Sequence, residues 1–352
     1  MLLRPLRIVA AVVAFFVPAL VGAGPAEEAL EEALKLHEAG ELKEAIRRYD
    51  HAVRLNPRLT EAYYNRGNAY YDLGQNERAV RDYTEVLRQS PNDAEAYYNR
   101  ANAHRRMGQH DRALKDYSSA IRLNPEGAEI RLNRGDVYFK LGRYEAALQD
   151  YDDAIRLNPE DPDAYYNRAN AYLTMQNRER AIEDYSDAIR LNPKLVEAYY
   201  NRGIAYADLG RFEQAVQDYT AVIASVSKSA EAYYNRGLAY FRLGRPEQAL
   251  EDLGEAIRLN PKDPEAYYNR GLVYGEIGEH ARAARDYTEV VVLNPRNAEA
   301  YGRRGLVRLY QGRNDEAEAD FKKAYRLDAG LKKKLEPLVN EAKKKGAAKP
   351  EP

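Results

Sequence analysis

Residues 60–93 read TEAYYNRGNAYYDLGQNERAVRDYTEVLRQSPND, and the phrase near their start returns along the chain. AYYNRG begins at Ala62, Ala198, Ala232 and Ala266, and AYYNRA at Ala96 and Ala164. The spacing is 34 residues, and IRLNRG at Ile130 fills the one gap. A second phrase, LNP, begins at Leu55, Leu123, Leu157, Leu191, Leu259 and Leu293, with Gln89-Ser90-Pro91 as a variant. Nine units follow: 26–59, 60–93, 94–127, 128–161, 162–195, 196–229, 230–263, 264–297 and 298–331. A period of this size marks a solenoid and overrules the two or three globular domains that length alone would suggest.

Each unit reads as two helices. Tyr63, Gly67 and Tyr70 recur at i, i+4, i+7 before Leu73-Gly74 stops the first helix; Ala79, Tyr83 and Val86 recur likewise before Pro91 ends the second. Gly67 and Ala79 allow close helix approach, and the tyrosines fill the space beside them. One such pair cannot bury its apolar face alone, so neighbouring pairs must stack. The spacing Tyr-x2-Arg-Gly-x2-Tyr, then Ala-x3-Tyr-x2-small, then Pro resembles the tetratricopeptide repeat. The resemblance implies an all-α, right-handed superhelical solenoid of nine helix-turn-helix repeats whose first helices line a concave, peptide-binding surface.

One anchor departs from the family pattern. Arg66, Arg100, Arg134, Arg168, Arg202, Arg236, Arg270 and Arg304 stand where leucine is usual. The same eight units carry Asp82, Asp116, Asp150, Asp184, Asp218, Asp252, Asp286 and Asp320 just before the second-helix aromatic position. In the first unit both signs reverse together, to Glu32 and Arg48. This predicts an ion pair between the two helices of every unit, fixing register and worth about 0.2–1 kcal/mol if partly exposed.

Glu61, Tyr64, Asn65, Asn68 and Tyr71 share a second face of the first helix. The resemblance makes this the groove. Its candidate contacts are Tyr64, Asn65 and Asn68; Tyr98, Asn99 and Asn102; Tyr166, Asn167 and Asn170; Tyr200 and Asn201; Tyr234, Asn235 and Leu238; Tyr268 and Asn269. An asparagine amide both donates and accepts, which suits a guest backbone, and tyrosine adds apolar area with a polar tip. The bland alternative is that these asparagines tie one repeat to the next. The acidic row Glu27, Glu61, Glu95, Glu129, Asp163, Glu197, Glu231, Glu265 and Glu299 lies in first turns and complements the helix dipole. Asn68, Asn102, Asp136 and Asn170 give way to Ile204, Leu238, Leu272 and Leu306, so the groove should be polar early and apolar late. The lysine and arginine set with which some family grooves clamp a terminal carboxylate is not matched here; bases such as Arg105, Arg106 and Arg242 are scattered.

Two irregularities stand out. Ala224-Ser225-Val226-Ser227 replaces Arg-Leu-Asn-Pro, and Leu253-Gly254 replaces a tyrosine and its polar follower. They read either as a weak joint over residues 223–255 or as neutral drift in a long array. Residues 332–345 resemble the charged capping helix of such arrays despite Pro337, and 346–352 read as a disordered tail.

At the other end, Arg4 and Arg7 precede an apolar run, Ile8–Val21, too short to span a bilayer and closing on small residues before Ala23. Residues 1–23 therefore read as a cleaved signal, placing the protein in the periplasm or outside the cell; a retained leader would make it a membrane-anchored adaptor. No cysteine is present to accept a lipid, form a disulfide or act as a nucleophile.

The 352 residues include 30 tyrosines, 6 phenylalanines and no tryptophan. Basic residues number 54 and acidic 55, and removal of the leader leaves a net charge of -3, which implies no polyelectrolyte partner. No GxSxG, HExxH, phosphate loop or dinucleotide fingerprint occurs, and the five histidines lie apart, so neither catalysis nor a cofactor or metal is expected. An RNA-reading solenoid would need a basic groove, and this one is acidic and tyrosine-rich. A binding scaffold for other proteins or peptides remains, with no nucleic-acid partner and no stable membrane insertion after cleavage.

Overall fold

The computed structural model describes residues 24–347; the expected leader and residues 348–352 lie outside them. Among the described residues there are nineteen helices and no strand. Two compact bodies divide at Leu191. The first stacks five helix pairs: α1 Pro25–Glu38 and α2 Leu42–Leu55, α3 Thr60–Asp72 and α4 Asn76–Gln89, α5 Ala94–Arg106 and α6 His110–Leu123, α7 Ala128–Lys140 and α8 Tyr144–Leu157, α9 Pro162–Thr174 and α10 Arg178–Leu191. The second stacks four pairs and a final helix: α11 Val196–Asp208 and α12 Phe212–Ser225, α13 Ala230–Arg242 and α14 Pro246–Leu259, α15 Pro264–Glu276 and α16 His280–Leu293, α17 Ala298–Tyr310 and α18 Asn314–Leu327, then α19 Gly330–Ala347. Each body is a segment of helical solenoid.

The turn inside a pair is set by one left-handed residue. Gly74 (φ 72°) donates its N–H to the Tyr71 carbonyl at 3.0 Å while Gln75 donates to Tyr70 at 2.8 Å, closing α3. In unit five the same geometry falls on Gln176 (φ 63°), the only non-glycine residue with positive φ among those described. Between pairs, asparagine and aspartate side chains satisfy the exposed backbone: Asn56 accepts from Arg58 N–H at 3.0 Å, and Asp93 caps α5 through Ala96 N–H at 2.9 Å.

Close approach within a pair depends on the small residue of the first helix. A Cβ on Gly67 would lie 2.8 Å from the Tyr83 ring. Tyr83 and its counterparts Tyr49, Tyr117, Tyr151, Tyr185, Tyr219 and Tyr287 are fully buried. The expected core stripe is otherwise shifted: Tyr63 and Tyr70 are only half-buried, whereas Asn65, Asn68 and Tyr71 are buried. Tyr63 instead supports the Arg66 guanidinium, 5.3 Å above its ring.

Two expectations about irregular segments are refined. At residues 225–229, Val226 donates to the Val222 carbonyl at 2.7 Å and Ser229 caps α13 through Ala232 N–H at 3.3 Å, so the turn closes without its proline. Leu253 is fully buried in the tyrosine's place against Gly237. The capping helix runs from Gly330 to Ala347, wider than residues 332–345, and buries Leu331, Leu335 and Ala342 against α17 and α18.

Candidate functional site

The predicted ion pairs form in all nine units. Arg66 Nε and Nη2 donate to Asp82 at 2.8 and 2.7 Å, a bidentate geometry repeated from Arg100–Asp116 to Arg304–Asp320. In unit one the reversed pair Arg48–Glu32 meets at 3.0 Å. The eight aspartates are buried and their arginines nearly so, so the surface-bridge energy expected from sequence does not apply. Burial raises the Asp82 carboxyl above its usual range even though Arg66 pulls it back. The arginine's remaining nitrogen reaches the preceding unit, a link the sequence reading missed. Arg66 Nη1 pairs with Asp50 and Arg168 Nη1 with Asp152, both at 2.7 Å, while Arg100, Arg134, Arg236 and Arg304 bond Thr84, Ser118, Thr220 and Thr288. At Gly254 the side chain is missing, and Arg270 Nη1 faces an open position.

The tyrosine and asparagine rows interlock between units. Asn99 donates to the Tyr64 hydroxyl at 2.8 Å, as do Asn133 to Tyr98, Asn235 to Tyr200 and Asn269 to Tyr234. Tyr64 in turn donates to Glu95, Tyr98 to Glu129 and Tyr268 to Glu299. The acidic row thus accepts from the preceding unit's tyrosine besides complementing its own helix. Burial and the Glu265 charge push the Tyr234 hydroxyl up to about 12, so these phenols stay protonated donors.

This interlocking corrects part of the expected groove. Asn68, Asn102 and Asn170 are each 2% exposed and accept from the buried hydroxyls of Tyr83, Tyr117 and Tyr185. Asn65 and Asn201 are buried too, as are Tyr166 and Tyr200. Their amides and rings serve packing, because a buried tyrosine hydroxyl requires an acceptor and adjacent first helices lie close. Tyr64, Tyr98, Tyr234, Tyr268, Asn99, Asn167, Asn235, Asn269 and Leu238 remain half-buried and reachable from outside.

A further row, of which the sequence placed only Tyr71 on this face, occupies the last turn of the first helices. In the first body it reads His37, Tyr71, Arg105, Phe139, Leu173, and in the second Ala207, Phe241, Gly275, Leu309. Arg106 lies 3.6 Å over the Tyr71 ring and donates to the Tyr71 carbonyl at 2.9 Å. Asp136 Oδ1 accepts from Tyr151 and Asn167, both at 2.9 Å, while Oδ2 is buried without a partner. Burial pushes the Asp136 carboxyl up to about 7, against the pull of Arg105. In the second body, Leu238, Phe241, Leu272, Leu306, Tyr310 and Leu338 border a cavity of about 430 Å³ above Gly275. Among the described residues no three histidine, aspartate or glutamate side chains converge as metal ligands, and no helix is long and apolar enough to cross a membrane.

Family profiles agree with this architecture. The tetratricopeptide repeat profile matches residues 98–162, 166–230, 200–264, 234–276 and 268–331, and a second TPR repeat profile matches 33–74 and 67–108. The chain belongs to the tetratricopeptide repeat family. It is similar to MamA, 32% identical over 47% of this chain and 96% of that one, with a TM-score of 0.45. YrrB, described as a TPR protein with an unusual peptide-binding site, is 27% identical over 53% of this chain and 97% of its own, with a TM-score of 0.50. A tetratricopeptide repeat protein from Parabacteroides merdae ATCC 43184 is 24% identical over 70% of this chain and 98% of its own, also at 0.50. No curated protein matches the chain.

Proposed function

We propose that the protein is a non-enzymatic scaffold whose first-helix face binds extended or helical polypeptide segments, assembling a protein complex in the bacterial cell envelope. The observation that carries this reading is a contrast between faces. The outer side of the second helices is laced with exposed charged pairs such as Arg88–Glu85, Arg156–Asp153 and Arg258–Glu255. The first helices instead present half-exposed Tyr64, Tyr98, Tyr234 and Tyr268 and the apolar cavity. Accessible aromatic area beside amide groups favours polypeptide over solvent. The peptide-binding site of the similar YrrB supports the same assignment.

The envelope location rests on residues 1–23. Fractionation with N-terminal sequencing tests it: mature protein beginning at Gly24 in the periplasm is expected, and an intact leader in the membrane fraction would favour the anchored adaptor instead. For binding, a photo-crosslinking residue at Tyr268 should capture polypeptide, whereas one at Glu255 on the outer face should not. Equal capture from both, or retention of RNA at physiological salt, would refute the scaffold reading.

A further inference from the structure

The cavity above Gly275 is a local departure from the repeat. Counterparts of Gly275 carry histidine, tyrosine, arginine, phenylalanine, leucine or alanine, and glycine alone leaves the position empty. A Cβ placed there would meet only Val307 Cγ1, at 4.0 Å, so the space is open. Leu272 and Leu306 wall it where units two to five have asparagine or aspartate, and the stacked pair His280–Tyr310, with ring centroids 4.7 Å apart, adds an aromatic wall. About 150 Å³ suffices for a benzene-sized ring, and the cavity offers about 430 Å³.

Its charges are also distinctive. Arg303 borders the cavity at the position that is asparagine in units two to eight, and Arg242 joins it, against Glu276 as the one carboxylate. An apolar hollow edged by two guanidinium groups complements an apolar side chain with acidic neighbours.

We propose that this pocket is a subsite that takes one bulky apolar side chain of the bound polypeptide, with acidic residues flanking it in sequence. It rests on the polypeptide-binding reading and narrows it to a class of segment.

The test uses the full mature chain and three fluorescein-labelled pentapeptides, each amidated at its C-terminus so that no terminal carboxylate is present. One has phenylalanine between pairs of glutamates, one replaces the phenylalanine by alanine, and one replaces the glutamates by lysines. The acidic phenylalanine peptide should bind at least tenfold more tightly than either control. Gly275→Leu, which fills the hollow with the side chain found at Leu173 and removes a helix-interior glycine, should weaken that binding at least tenfold while circular dichroism stays unchanged. Gly275→Ala provides a smaller filling with an intermediate loss and serves if the leucine variant misfolds. Equal affinity for the three peptides, or binding indifferent to both substitutions, overturns the proposal. So does a wild-type dimer that Gly275→Leu converts to monomer, since a second copy would then be the occupant. If Tyr268 crosslinks to polypeptide while the pocket variants change nothing, the scaffold reading stands and the pocket assignment falls.

Discussion

Replacing Asp136 by asparagine should stabilise the protein above pH 7 and change little near pH 4. Asn68, Asn102 and Asn170 meet their tyrosine hydroxyls as neutral amides, and Asp136 takes the same place opposite Tyr151 with a group that ionises. Its surroundings are Tyr151 on α8, Asn167 and Asp163 on α9, and Arg105 on α5, of which only Arg105 favours the charged form by its own charge. The folded carboxyl titrates at about 7, against about 3.9 in an unfolded chain. A raised acid binds its proton more tightly when folded, so its contribution to stability is whole below the unfolded value. It is lost as pH rises from about 4 through about 7. Three units at roughly 1.4 kcal/mol each set a ceiling of about 4 kcal/mol, reached by pH 8. Asparagine keeps the acceptor for Tyr151 and Asn167 and cannot ionise. Hydrogen exchange in α7 and α8, with urea midpoints for the whole chain, should be followed from pH 4 to pH 8. Other carboxylates titrate alike in both proteins, so the difference between them isolates residue 136. A difference that does not grow with pH, or a variant less stable at pH 8, would refute the reasoning.

The clamp and the turns give further tests. Asp116→Ala strands the largely buried Arg100 and should cost about 3 kcal/mol, read as a drop in urea midpoint; a loss below 1 kcal/mol would mean that water replaces the carboxylate. Asn102→Leu orphans the buried Tyr117 hydroxyl at a cost of about 1–3 kcal/mol, and adding Tyr117→Phe should recover most of it, a coupling that a double-mutant cycle measures. Gly254→Thr supplies the hydroxyl that Arg270 Nη1 lacks and improves helix propensity, so the thermal midpoint should rise by the equivalent of roughly 1 kcal/mol. Gln176→Gly relieves a left-handed backbone and should stabilise by about 0.5–1 kcal/mol, with no change in the hydrogen exchange of α13.

The repeat and the ion pair were legible because both are periodic, and because unit one reverses Glu32 and Arg48 together. Which side of the first helix faces inward was less legible. Polarity marks burial only where polar groups lack partners, and Asn68 is buried because Tyr83 needs an acceptor on it. Tyr63 and Tyr64 are adjacent and chemically identical, yet one carries an arginine on its ring and the other bonds a neighbouring unit. The second reach of Arg66, to Asp50, has no periodic signal, since its counterparts vary among aspartate, threonine, serine and glycine. The Gly275 cavity is made by an absent side chain, and one glycine in a long array reads as drift until its neighbours are seen.

The polarity of the first-helix face and that of the core behind it are coupled in most units. Tyr83, Tyr117, Tyr151 and Tyr185 each donate to an asparagine or aspartate on the first helix. In unit one that acceptor is replaced by Leu34, and the buried His37 takes its place, 3.2 Å from the Tyr49 hydroxyl. In units seven and nine the acceptor becomes Leu238 and Leu306, and the donor disappears as well, to Leu253 and Phe321. Energetics explain the coupling: an orphaned buried hydroxyl costs about 1–3 kcal/mol, whereas exchanging both partners for apolar groups is nearly neutral. Units six and eight are the exceptions: Tyr219 keeps its hydroxyl opposite Ile204, and Tyr287 keeps its own opposite Leu272 and borders the cavity above Gly275. Of the apolar positions at the pocket, Leu238 and Leu306 are matched by apolar second-helix residues, so a substitution at either that ignores the side chain behind it perturbs packing before it perturbs binding.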